Sequence, residues 1–75
     1  MNPCKDSLVI LGNYRLHFKI GSKNLIYIDD EGSGRSDSAI QYWDGRIAYD
    51  FPERIPKYIR CKVEKMFTQV HKGAK

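Results

Sequence analysis

A chain of 75 residues can build one hydrophobic core, because at this length folding buries only about 60% of the surface the unfolded chain exposes, and a deep catalytic cleft is not expected. Its 41% hydrophobic and 29% charged residues exclude a disordered tail. The net charge of +4 is unevenly placed: residues 1–50 hold six Lys or Arg against seven Asp or Glu, and residues 51–75 hold seven against two, so the positive excess in the last third favours an acidic partner.

Along the chain, the apolar run Leu8-Val9-Ile10-Leu11 is too short for a signal peptide or a membrane span. A cytoplasmic protein with no membrane partner is the resulting expectation. Gly12-Asn13 is a two-residue hairpin candidate leading into Tyr14–Ile20, where Tyr14, Leu16, Phe18 and Ile20 face one way and Arg15, His17 and Lys19 the other, the period of a half-buried strand. Gly21-Ser22-Lys23-Asn24 is turn chemistry, and Leu25–Ile28 reads as the next strand. With all four residues in the loop, Leu25 lies opposite Ile20 and Tyr27 opposite Phe18.

A loop is expected from Asp29 to Asp37. Ala39–Trp43 and Arg46–Asp50 are strand-like runs joined by Asp44-Gly45, the signature of a type I′ hairpin. That register pairs Tyr42 with Ile47 and Ile40 with Tyr49 on the core face, and Trp43 with Arg46 and Gln41 with Ala48 on the other. Phe51-Pro52-Glu53-Arg54 leaves the sheet, and Pro56 suits the first turn of a helix. Ile55, Ile59, Val63, Met66 and Val70 then recur at helical spacing, widened by Phe67, until Gly73. Lys57, Arg60, Glu64, Lys65 and Thr68 fall on the outer side, and Lys72 suits the negative end of the helix dipole.

The expected fold class is α+β: a four- to five-stranded antiparallel β-meander, open or curled toward a small barrel, packed by one C-terminal α-helix. It forms a single domain over residues 1–75 with an ordered core from Ser7 to Val70. The helix stripe should pack on a face made by Leu16, Phe18, Tyr27, Tyr42 and Tyr49.

Catalytic and metal-binding patterns fail on their details. Counted from Asp29, the eighth and twelfth places of a calcium loop fall on Ser36 and Ile40, where an apolar residue and a bidentate Glu are needed. Gly32-Ser33-Gly34-Arg35 has no following Lys-Ser or Lys-Thr and leads into a strand, so it is a poor phosphate cradle. Cys4 and Cys61 have no CxxC spacing, and only His17 and His71 could join them around zinc. The two cysteines could pair in an oxidising compartment, but without an export signal they read as reduced thiols. Asp29 and Asp30 are adjacent on a strand edge and point to opposite faces, which does not suit shared acid and base work. No metal, no cofactor and no enzymatic activity are expected.

The second sheet face carries Arg15, His17, Lys19, Ile26, Ile28, Gln41, Trp43 and Arg46. Covered, its apolar members are core; exposed, Trp43 beside Arg46 is the kind of anchor that binding hot spots favour. The candidate partner-binding residues are Trp43, Arg46, Lys19 and Arg15 on the sheet, with Lys57 and Arg60 on the helix. Aromatics among basic groups on a sheet also suit single-stranded nucleic acid. Against that stand Asp29, Asp30, Glu31, Asp37, Asp44 and Asp50 along the same sheet, and the lack of any RNP-like or helix-turn-helix pattern.

Between Gly34 and Lys62, the stretches Gly34-Arg35-Ser36-Asp37, Tyr42-Trp43-Asp44-Gly45-Arg46-Ile47-Ala48-Tyr49-Asp50 and Ile55-Pro56-Lys57-Tyr58-Ile59-Arg60 resemble small uncharacterised proteins of Gram-positive bacteriophages and prophages. The resemblance covers rather less than half of the chain and includes no catalytic motif. It implies a protein that works in the host cytoplasm by binding a host enzyme or regulator. The functional expectation is a small non-catalytic protein-interaction module, an inhibitor or adaptor for a host protein, monomeric or homodimeric. The alternative is a nucleic-acid-binding domain that uses the basic and aromatic sheet face and the basic helix.

Overall fold

A computed structural model describes residues 8–73, with side chains described for residues 8–70. Cys4, Lys75 and the side chains of His71 and Lys72 therefore lie outside the described residues. Five strands, β1 (Leu8–Leu11), β2 (Tyr14–Phe18), β3 (Leu25–Asp30), β4 (Arg35–Gln41) and β5 (Ile47–Tyr49), form one open antiparallel meander in chain order. A single turn of 3₁₀-helix, Pro52–Arg54, leads to the helix α1, Lys57–Gly73, and the α+β architecture expected from the sequence is the one found.

The turns decide which residues reach the core. Gly12-Asn13 joins Leu11 to its partner Tyr14 as a two-residue hairpin, with Gly12 at φ +60 in the first central position, where a type II′ turn requires glycine. Between β2 and β3 the expected register is off by one residue. Lys19 N–H donates to Leu25 O at 2.9 Å, and Ser22 N–H donates to Lys19 O at 3.0 Å. Ile20 and Gly21, the latter at φ +84, are thus the central residues of a type II turn. Ile20 leaves the strand and is 97% exposed, and Phe18 pairs with Ile26. A slip of one residue exchanges the faces: Ile26 and Ile28 become core, while Leu25 and Tyr27 turn outward.

The Asp44-Gly45 hairpin departs in the same way. Tyr42 N–H donates to Arg46 O at 2.8 Å and Gly45 N–H to Tyr42 O at 2.9 Å, with Gly45 at φ +96 and Asp44 not at positive φ. This is a type I turn followed by a left-handed glycine, a three-residue loop in place of the two-residue type I′ turn. Gln41 therefore pairs with Ile47, Ile40 with Ala48 and Ala39 with Tyr49. Gln41 joins the core face, Ile40 and Tyr42 are exposed, and Trp43 belongs to the loop itself. The loop expected over Asp29–Asp37 is mostly strand, since Asp30 pairs with Arg35 around Glu31–Gly34. The Asp30 carboxylate accepts hydrogen bonds there from Gly32 N–H at 3.0 Å and Ser33 Oγ at 2.9 Å.

The helix stripe behaves as its spacing requires. Ile59, Val63, Met66 and Phe67, preceded by Ile55, are buried against Leu16, Ile26, Ile28 and Ala39, and each full burial of a large aliphatic or aromatic side chain contributes about 1.5–3 kcal/mol. Phe18 meets Phe67 edge-on at 5.7 Å between ring centres, and Tyr14 meets Tyr58 at 6.3 Å. Leu16, Phe18 and Tyr49 lie on the helix-covered face as expected, whereas Tyr27 and Tyr42 do not.

Two arginines bind the connection to the rest of the molecule. Arg54 Nη2 lies 3.2 Å from Oδ1 of the buried Asp37, and its guanidinium stacks 3.9 Å from the Phe51 ring centre. Asp37 Oδ1 receives no aligned hydrogen bond, so the contact is a charge pair rather than a hydrogen-bonded bridge. Arg60 reaches back from α1 and donates to Pro52 O at 2.6 Å and Ile55 O at 3.1 Å.

Candidate protein-binding surface

The helix α1 covers one face of the sheet, and the described residues leave the other face open. Its polar side chains bind one another. Arg15 Nε lies 2.8 Å from Glu31 Oε2. Asp29 receives Ser36 Oγ at 2.8 Å and His17 Nε2 at 3.0 Å. Ser38 Oγ donates to Asp50 at 2.8 Å. Burial alone would raise the Asp29 carboxyl, but the hydrogen bonds from His17 and Ser36, with the charges of His17 and Arg15, leave it below its usual value. An ionised carboxylate only accepts, so His17 Nε2 carries the proton it donates.

This cluster holds a serine, a histidine and an aspartate, but in the wrong order for nucleophilic catalysis. The carboxylate sits between the other two, so the hydroxyl donates to Asp29 and has no imidazole beside it to take its proton. Asp29 and Asp30 lie on opposite faces of β3, as strand geometry demands. Among the described residues, no group of three or more His, Cys, Asp or Glu side chains is placed to hold a metal.

The two reversed registers place the most exposed apolar groups at one end of the sheet. The β2–β3 and β4–β5 loops both lie there, tied together by Gln41 N–H donating to Asn24 O at 2.9 Å. Ile20 is 97% and Trp43 98% exposed. Lys19 and Lys23 flank Ile20 and are exposed as well. Arg46 does not stack on Trp43; its guanidinium lies 5.3 Å from the Tyr42 ring centre, and its Nε donates to Asp44 Oδ2 at 2.8 Å.

Of the six residues singled out from the sequence, Lys19, Trp43 and Arg46 share this loop end. Arg15 lies on the open face, engaged with Glu31. Lys57 and Arg60 begin the helix near the other end of the sheet, where Tyr58 meets Tyr14. The six therefore do not make one surface. Sequence reasoning missed Ile20 and Lys23 as exposed residues at the same end of the sheet as Trp43, and the overlooked signal was Gly21, whose positive φ draws Ile20 out of the strand and into a turn.

Comparison of the chain with protein-family models, with curated proteins and with solved structures found no match. Among the described residues, no helix is long and apolar enough to cross a membrane.

Proposed function

We propose that the protein is a small non-catalytic interaction module that binds another protein through the loop end carrying Trp43. The observation that carries this reading is the 98% exposure of Trp43, at the same end of the sheet as a second fully presented apolar side chain, Ile20. A tryptophan held off the core by a tight turn contributes almost nothing to folding, but on meeting a partner pocket it becomes a dominant contact. The exposed Lys19 and Lys23 at the same end of the sheet suit a partner surface bearing carboxylates. The phage resemblance of Gly34–Lys62 supports a host protein as the partner.

Protein is favoured over nucleic acid because three of the arginines near the sheet are already committed to carboxylates. Arg15, Arg46 and Arg54 face Glu31, Asp44 and Asp37 at 2.8–3.2 Å, and a cation held by a carboxylate neutralises no phosphate. The test is parallel capture from nuclease-treated bacterial lysate with the parent and with Trp43→Ala. A protein retained by the parent and lost by the variant is expected. Sub-micromolar affinity of the parent for an oligonucleotide at physiological salt, falling steeply as salt rises, would instead establish the nucleic-acid reading.

A further inference from the structure

The open face of the sheet divides into two halves. Toward the β1–β2 turn its polar groups bind one another, Arg15 with Glu31 and Asp29 with His17 and Ser36. Toward the loop end it is apolar. The register sets Ala48 opposite Ile40 and Ile40 opposite Leu25, and the hydrogen bond from Lys19 N–H to Leu25 O puts Lys19 next in the same row. Tyr42 lies one step nearer the loop, opposite Arg46. Tyr42 is 44% and Ile40 37% exposed, with Ala48 exposed and Leu25 half-buried. At about 4.8 Å between neighbouring strands, the row is three apolar residues over about 10 Å, with a cation one strand further on.

From this row we infer that the open face docks an amphipathic helix of a partner protein, laid across β5, β4 and β3 with its acidic end over Lys19 and Lys23. Such docking rests on the protein-binding reading of the loop end and extends that surface from Trp43 onto the sheet. Residues i, i+4 and i+7 share one side of a helix and span about 10 Å, which matches the row. Alternate residues of an extended strand lie about 6–7 Å apart and fall out of step with it. The other face of this sheet is covered by that same spacing, through Ile59, Val63 and Met66 of α1.

Charge sets the chemistry and the direction of the occupant. Neither Lys19 nor Lys23 pairs with a carboxylate among the described residues, whereas Arg46 is held by Asp44 at 2.8 Å. At the β5 end stands Asp50, bonded to the Ser38 hydroxyl, so a partner carboxylate is favoured over β2 and opposed over β5. The chain has no segment of its own that fits. α1 uses its apolar side on the core. Residues 1–7 carry one lysine and one aspartate, residues 71–75 two lysines and no acid, and neither stretch holds three apolar residues at helical spacing. A second copy brings the same committed helix, the same two lysines and a net charge of +4, which oppose pairing of this face with itself.

Two synthetic peptides of equal helicity, each with leucines at i, i+4 and i+7 and with either glutamates or lysines at one end, are titrated into the full chain. Amide chemical shifts and the emission of Trp43, the single tryptophan, read the outcome. The glutamate peptide should shift the amides of Leu25, Ile40, Tyr42 and Ala48 and move the Trp43 emission to the blue. The lysine peptide should bind about tenfold more weakly, and Lys19→Glu with Lys23→Glu should reverse that preference. Ile40→Lys should weaken the glutamate peptide by about tenfold or more while keeping the parent's circular dichroism, and Ile10→Lys in the polar half should bind as the parent does. Equal binding of the two peptides overturns the inference, as does a glutamate peptide that leaves the row unshifted. So does a parent that dimerises in sedimentation equilibrium and becomes monomeric in Ile40→Lys, which would give the face to a second copy. Peptide binding abolished by Trp43→Ala yet unchanged by Ile40→Lys overturns it too, while leaving the loop-end reading in place. That reading falls separately, when lysate capture is indifferent to Trp43→Ala.

Discussion

Trp43, in the turn, and Tyr49, on the second strand, belong to the same hairpin and have opposite surroundings. Trp43 is presented to solvent by a turn. Tyr49 is half-buried under α1, and its hydroxyl has no hydrogen-bond partner among the described residues. Burial, reinforced by the negative charge of Glu64 and partly offset by Arg60, pushes the Tyr49 phenol up to about 12 from its usual 10.0. A group whose folded pKa is raised keeps its proton longer when folded than when unfolded. Its contribution is therefore complete below pH 10.0 and is lost as the pH climbs toward about 12. Tyr49→Phe removes both this linkage and an unsatisfied buried hydroxyl. We expect Tyr49→Phe to match or exceed the parent in melting temperature at neutral pH, and to lose less stability than the parent when melted above pH 10.0. A large loss at neutral pH would show that the hydroxyl has a partner after all.

At the scale of elements, what the sequence conveyed clearly was periodicity. The alternation of Tyr14 to Phe18 and the stripe from Ile55 to Phe67 each depend on residues within one element, and both elements form as that spacing requires. Register was not legible, because it depends on how many residues each turn consumes. Alternation counted Ile20 and Trp43 as strand residues on hydrophobicity alone, whereas positive φ at Gly21 and Gly45 draws them into loops one residue larger than assumed. Each extra residue flips the strand that follows, so Trp43, expected on a strand face beside Arg46, stands in a loop, and Arg46 lies over Tyr42 instead. The register carries a direct test within one strand. Ile28 is 1% exposed, and Ile28→Ala should cost about 2–5 kcal/mol in urea unfolding. Tyr27, on the open face beside His17, should cost about 1 kcal/mol when truncated to alanine. The register read from alternation alone requires the reverse order.

For the molecule as a whole, the question is what holds a helix and its connection to a sheet whose last strand, β5, lies four strand spacings from its first, β1. Apolar burial supplies most of the energy but little direction, and the positioning falls to Asp37 and Arg54. Asp37 is the one buried charged residue among those described, at 6% exposure, at the centre of β4. Arg54 caps it from the 3₁₀ turn, itself clamped by Phe51. Such a pair gives little net stability compared with an apolar substitute, because both charges lose water. Breaking one half is another matter, since the partner charge stays buried and uncompensated. Arg54→Leu should therefore cost about 3 kcal/mol, a large share of what so small a core supplies. Asp37→Asn in the same chain removes the stranded charge. The double variant should recover part of that loss, leaving a coupling energy of about 1–2 kcal/mol between the two sites in a double-mutant cycle. Urea midpoints of the parent, both single variants and the double variant measure it. Strictly additive losses would mean that the two groups act independently, and that the connection is held instead by Arg60 through its hydrogen bonds to the Pro52 and Ile55 carbonyls.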